Sequence, residues 1–148
     1  MFEIERDESA VKANVFVPRS PAVAWRALTE PDLIRQWFTK TTGFSLTVGS
    51  TFILEIDATP PAEVACEVIH VDDTRRLTHT YVDLRGTPPT RWVIDWRLEA
   101  HGRGTQILLC HRGFDISDRQ QRMARTAVDR GWRRRLLPRL AEVVTAIE

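Results

Sequence analysis

The chain has 148 residues, 43% of them hydrophobic, and a formal net charge of +1. That is enough length for one domain with a real core, and with no repeats, low-complexity tracts or linkers a single domain over residues 1–148 is expected. No apolar run approaches the ~20 residues of a membrane span, and the acidic start MFEIERDESA lacks the basic head and apolar stretch of a signal peptide, so a soluble, cytoplasmic protein is expected.

In chain order, residues 11–17 (VKANVFV) alternate and stop at Pro18, as a strand does. Ser20-Pro21 reads as a helix cap followed by proline in the first turn, and AVAWRALT carries that helix to Thr29. Glu30-Pro31 breaks it, and PDLIRQWF starts a second short helix ending near Phe38. GFSLTVGSTFILEID reads as two strands about Val48-Gly49-Ser50, with Phe52, Leu54 and Ile56 on one face. Residues 62–72 form the next strand, closed by Asp72-Asp73. RRLTHTYVD then places Leu77, His79 and Tyr81 together, and GTPP (86–89) is a loop. TRWVIDWRLEA alternates most clearly, with Trp92, Ile94, Trp96 and Leu98 inward and Arg91, Asp95, Arg97 and Glu99 outward. After the turn HGRG, TQILLCH groups Thr105, Ile107, Leu109 and His111. Six to seven antiparallel strands with one apolar face are expected.

Beyond Gly113 the period changes. Val128, Trp132, Leu136, Leu140, Val143 or Val144, and Ile147 recur at helical spacing from an N-cap expected at Ser117, and Pro138 is expected to kink the helix. Residues 112–139 also hold nine arginines against Asp115, Asp118 and Asp129. Arg130, Arg133 and Arg134 fall opposite the Trp132–Leu136–Leu140 stripe, which predicts a solvated outer face with Trp132 beneath it. Nucleic acid is not expected as a partner, because no helix-turn-helix spacing or aromatic ladder accompanies the arginines. Cys66 and Cys110 have no C-x-x-C spacing and read as free, buried thiols.

These elements imply an α+β architecture: a curved antiparallel sheet, two short helices after the first strand, and a long C-terminal helix on the concave face. The residues themselves resemble a family. VFVPRSPAVAWRALTEPDLIRQWF (15–38), VGSTFILEI (48–56), EVIHVDDTRRLTHTY (67–81), GTQILLCHRGF (104–114) and GWRRRLLPRL (131–140) follow, in order, segments of the activator of Hsp90 ATPase homologue 1-like family. That family lies in the helix-grip, START/Bet v 1-like (SRPBCC) superfamily. The sequence departs from the pattern at Asp72-Asp73-Thr74, where Asp-Pro-Pro is usual, at Gly49-Ser50, where Gly-Gly is usual, and at Pro138, where a helix former is usual.

The resemblance implies a cavity between sheet and last helix for a small hydrophobic, aromatic or lipid-like molecule. Inward positions from this sequence supply Phe52, Leu54, Tyr81, Trp92, Ile94, Trp96, Ile107 and Leu109, with Trp37, Trp132 and Leu136 from the helices. An aromatic face under a helix is more often plain core. His79, Tyr81 and His111 are more informative, because polar groups among apolar neighbours need partners: a ligand hydroxyl or carbonyl, one another, or the backbone. A cyclase-type cavity enzyme with His111 and Tyr81 as acid and base remains an alternative, as does a protein-interaction, chaperone-assisting or regulatory role. No nucleophile elbow, paired carboxylates or phosphate loop is present, no metal-ligand spacing stands out, and neither metal nor cofactor is expected. The chain is expected as a monomer or homodimer.

Overall fold

Alternating burial sets the sheet. The computed structural model describes residues 8–57, 61–85 and 89–148; the acidic start at 1–7 and residues 86–88 of the expected loop lie outside them. Strand β1 (Ala10–Val17) buries Val11, Ala13 and Val17 and turns Lys12 and Asn14 to solvent. Helix α1 (Pro21–Thr29) opens with the Ser20 hydroxyl accepting from Val23 N–H, and α2 (Pro31–Trp37) follows behind its own proline. Both proline positions match the expectation, since a first-turn residue has no helical use for its N–H.

The strand expected before Gly49 is a loop. Only Thr41–Thr42 (β2) pair with β3 (Thr51–Ile56). Gly43 and Gly49 take positive φ, 81° and 90°, and the Ser50 hydroxyl donates to the carbonyls of Ser45 and Thr47 at 3.0 and 2.6 Å. Local side-chain bonds of this kind satisfy the backbone in place of a ladder. β4 (Ala62–Asp72), β5 (Arg76–Asp83), β6 (Thr90–His101) and β7 (Gly104–Arg112) complete one antiparallel sheet in the order β1-β7-β6-β5-β4-β3-β2. Its concave face carries the expected rows, with Ile94, Ile107 and Leu109 sealed as its floor.

The convex face holds a surprise. Asp95, expected outward in solvent, points outward but is buried. Arg76 grips its carboxylate through two bonds of 3.0 Å, Thr78 donates at 2.8 Å, and Arg97 and Arg112 close in at 3.7 and 3.5 Å. These bonds hold its pKa below the usual carboxylate range against the opposing effect of burial, which is the largest single influence.

The C-terminal helix has three parts. α3 (Arg119–Gly131) is capped by Asp118, whose side chain accepts from Gln120 N–H, not by Ser117, whose hydroxyl is bonded to Asp115. A π-helical turn, Trp132–Leu136, leads into α4 (Leu137–Ala146). The expected disturbance at Pro138 takes this form. Leu137 N–H reaches back five residues to Trp132 C=O, and the widened turn gives the proline ring room where a regular helix would crowd it. The extra residue also shifts the stripe. Leu137, not Leu136, is buried in line with Trp132, Leu140, Val144 and Ile147.

Candidate ligand site under the C-terminal helix

Three elements meet at Trp132. Its ring packs edge-on against Trp96 at 5.5 Å and Phe38 at 5.6 Å, and lies 6.4 Å from Trp37. Its indole N–H donates to His111 Nδ1 at 3.1 Å. An indole only donates, so Nδ1 must accept, and the His111 proton is held on Nε2. That Nε2–H is buried and has no hydrogen-bond partner. Buried orphan donors are rare because each carries a desolvation cost of about 1–3 kcal/mol.

Aromatic rings surround this donor. Tyr81, Trp92 and Phe114 lie 5.3, 5.2 and 5.2 Å from the His111 ring, and Tyr81 stacks on Trp92. Phe114 was not singled out from sequence. It folds back over Trp92, 4.5 Å away, because Gly113 turns at φ 103° where a Cβ would come within 3.1 Å of the Arg91 carbonyl. Burial pushes the His111 pKa down to about 3, helped by nearby His79, and burial also raises that of the Tyr81 hydroxyl.

His79 marks the other end. Its Nδ1 lies 2.8 Å from the Thr80 carbonyl, which can only accept, so Nδ1 carries the proton and Nε2 offers a lone pair. Burial lowers its pKa to about 4. Beside it is a cavity of about 30 Å³, walled by Trp37, Phe52, Leu54 and Trp96 among others. Leu136 lies apart, half-buried in an outer recess with Phe38, Ile56 and Arg139.

The larger space is a cleft of about 700 Å³ beneath the start of α3, between Trp92, Gly113 and Arg91 on the sheet side and Gln120, Gln121 and Ala124 on the helix. Gln121, also missed from sequence, spans it: its Oε1 accepts from Asp115 N–H at 2.7 Å and from the Trp92 indole at 3.5 Å. α3 itself buries no residue. It is tied down by arginines. Arg125 donates twice to the Ala10 carbonyl, at 3.1 and 2.8 Å, and Arg133 donates to the Lys12 carbonyl at 2.6 Å and pairs with Asp129. These carbonyls belong to β1, an edge strand of the sheet, so part of the arginine-rich face covers an open edge. Arg130 and Arg134 are exposed.

Among the described residues no group of three His, Cys, Asp or Glu side chains could hold a metal, and no helix is long and apolar enough to cross a membrane. Both cysteines are free; Cys66 is buried, which pushes its thiol pKa up to about 12, while Cys110 is half-buried.

The fold recurs among solved structures. Protein MLL2253 from Mesorhizobium loti superposes with a TM-score of 0.83 at 26% identity, covering 94% of this chain and 98% of that one. DynU16, from the dynemicin biosynthetic locus, gives 0.77 at 21% identity over 93% of this chain and 48% of its own. The Aha1 of Colwellia psychrerythraea, a dimer in solution, gives 0.73 at 16% identity over 93% and 96%. No curated protein matches the sequence. The family model for activator of Hsp90 ATPase homolog 1-like protein matches residues 18–145, and with the sheet and closing helix in place the chain belongs to that family.

Proposed function

We propose that this protein binds a small hydrophobic molecule between the concave sheet face and the C-terminal helix, with access beneath α3. The observation that carries this reading is the His111 Nε2–H, a buried donor ringed by aromatic side chains and lacking a partner. The 30 Å³ cavity beside His79 has room for about two waters, at roughly 10–15 Å³ each. A larger guest that is to reach the interior beside His79 from the cleft therefore needs α3 to lift. That motion uncovers no fully buried α3 side chain; it parts the half-buried Ala124 and Val128 from the core and breaks the ties made by Gln121 and Arg125, and by Arg133 in the π turn.

Binding without turnover is favoured over acid–base chemistry by the proton affinities. The His111 Nδ1 lone pair is already taken by the Trp132 indole, which leaves no free base on that ring, and burial pushes His111 down to about 3 and Tyr81 up. The shared fold of DynU16, a protein in a biosynthetic locus, is in keeping with a small-molecule partner.

A thermal-shift screen with flavonoids, sterols, fatty acids and polyketides tests the reading. A ligand of the native state at a hundredfold excess over Kd adds about 2.7 kcal/mol of stability. The shift should vanish in Ala124→Trp, which fills the cleft. Silence from every class, or a shift unaffected by Ala124→Trp, overturns it.

A further inference from the structure

Two histidines on one sheet row present opposite hydrogen-bonding faces. His79 pairs with Ile94, and Ile94 pairs with His111. The two residues are thus two strand spacings apart on the concave face, roughly 9–10 Å between Cα atoms. Each ring has its tautomer set by a group of single character. The Trp132 indole can only donate, which leaves His111 Nε2–H as a donor. The Thr80 carbonyl can only accept, which leaves His79 Nε2 as an acceptor. His111 Nε2 is buried without a hydrogen-bond partner, while the hydrogen bond of the His79 ring is made through Nδ1, to the Thr80 carbonyl.

The surroundings restrict the rest of the molecule. Aromatic rings stand within 5.1–5.3 Å of each imidazole: Phe52 beside His79, and Tyr81, Trp92 and Phe114 beside His111. Flat rings match such walls through offset or edge contacts. Charge is unwelcome. Among the described residues the buried polar side chains are Thr78, His79, Asp95, Thr105 and His111, and the one charged group, Asp95, lies on the convex face bound to Arg76. An ionised ligand group beside either imidazole would be desolvated without a counter-charge, the charged Asp83, Arg85, Arg91 and Asp118 standing at the cleft instead.

We propose that the ligand is an uncharged aromatic molecule with a carbonyl-type acceptor read by His111 Nε2–H and a hydroxyl donor read by His79 Nε2. This inference rests on the ligand reading above and names its chemical class.

The test uses a matched set: flavan, flavone, and the form of each with a para hydroxyl on the pendant ring. Kd is measured by titration calorimetry for the wild type, His111→Phe and His79→Phe. The hydroxylated flavone should bind most tightly, and loss of either oxygen should weaken binding roughly three- to tenfold. In His111→Phe, flavone and flavan should become equal while the hydroxyl preference persists; His79→Phe should show the converse. Should His111→Phe fail to fold because Trp132 loses its acceptor, the double variant with Trp132→Phe carries the same readout. Equal binding of all compounds to the wild type, or tightest binding by a carboxylated flavone, overturns the class and leaves the site standing. The same holds if none of the set binds while a sterol or fatty acid does. If nothing binds, both readings fall.

Discussion

The two ends of the C-terminal helix differ in what holds them. α4 buries Leu137, Leu140 and Val144, with Ile147 buried just past its end, and the Arg19 guanidinium bonds the carbonyls of Val144, Thr145 and Ile147 there. α3 has no fully buried residue, leaves Met123 64% exposed, and is held by the half-buried Ala124 and Val128 and a few polar bonds to an edge strand and to Trp92. Apolar burial is removed from water over many contacts and is costly to undo. Polar bonds at a surface exchange for water at little net cost. One continuous helix thus combines an anchor with a segment suited to opening, and the π turn divides them.

The largest effects should fall at the junction and in the anchor. Trp132→Ala should cost about 3–5 kcal/mol, and Leu140→Ala about 2–5 kcal/mol, in urea unfolding. A loss under about 1 kcal/mol at Leu140 would break the comparison, because α4 would then be no better anchored than α3.

Acid should act on the face that the junction covers. Unfolded, both histidines titrate near 6.5; folded, burial lowers His79 to about 4 and His111 to about 3. Below pH 6.5 the unfolded chain therefore takes up protons that the native state refuses. The stability these groups provide is whole above that value and is lost as pH falls toward 4 and then 3. Each histidine adds a slope of up to about 1.4 kcal/mol per pH unit. Urea midpoints between pH 8 and 4 measure it, and His79→Phe and His111→Phe should each flatten the curve.

Smaller changes sharpen the contrast. Arg125→Ala should cost about 1 kcal/mol by removing the tie to Ala10, and should speed amide hydrogen exchange in α3 while leaving α4 protected. Equal acceleration in both would mean that the helix opens as one body. Met123→Ala and Arg134→Ala, both on exposed α3 or π-turn positions, should each change stability by less than about 0.5 kcal/mol. A larger loss in either would show that the outer face is bearing on something.

Several elements were legible in the residues alone. Alternation in Trp92, Ile94, Trp96 and Leu98, and in Thr105, Ile107, Leu109 and His111, marked the concave face because strand side chains have a period of two. Ser20-Pro21 and Glu30-Pro31 marked both short helices. The segment 43–47 was misread as a strand, because its apolar residues suit one, while two positive-φ glycines and the Ser50 hydroxyl close it as a loop. Leu136 entered the stripe on a period that the π turn changes. Gln121 and Phe114 gave no periodic signal at all, since their roles depend on segments distant in the chain or on a turn at Gly113.

Sequence by itself determined the order of elements, the apolar face of the sheet and the burial of Trp132, because these follow from local period and breaker residues. Tertiary structure alone decided which nitrogen of each histidine keeps its proton, that Asp95 is enclosed by three arginines, and that the arginines of α3 and the π turn bind strand carbonyls. Apart from the His79–Thr80 and Asp95–Arg97 contacts, which are local, those are properties of pairs distant in sequence, where register and packing, rather than residue type, select the partner.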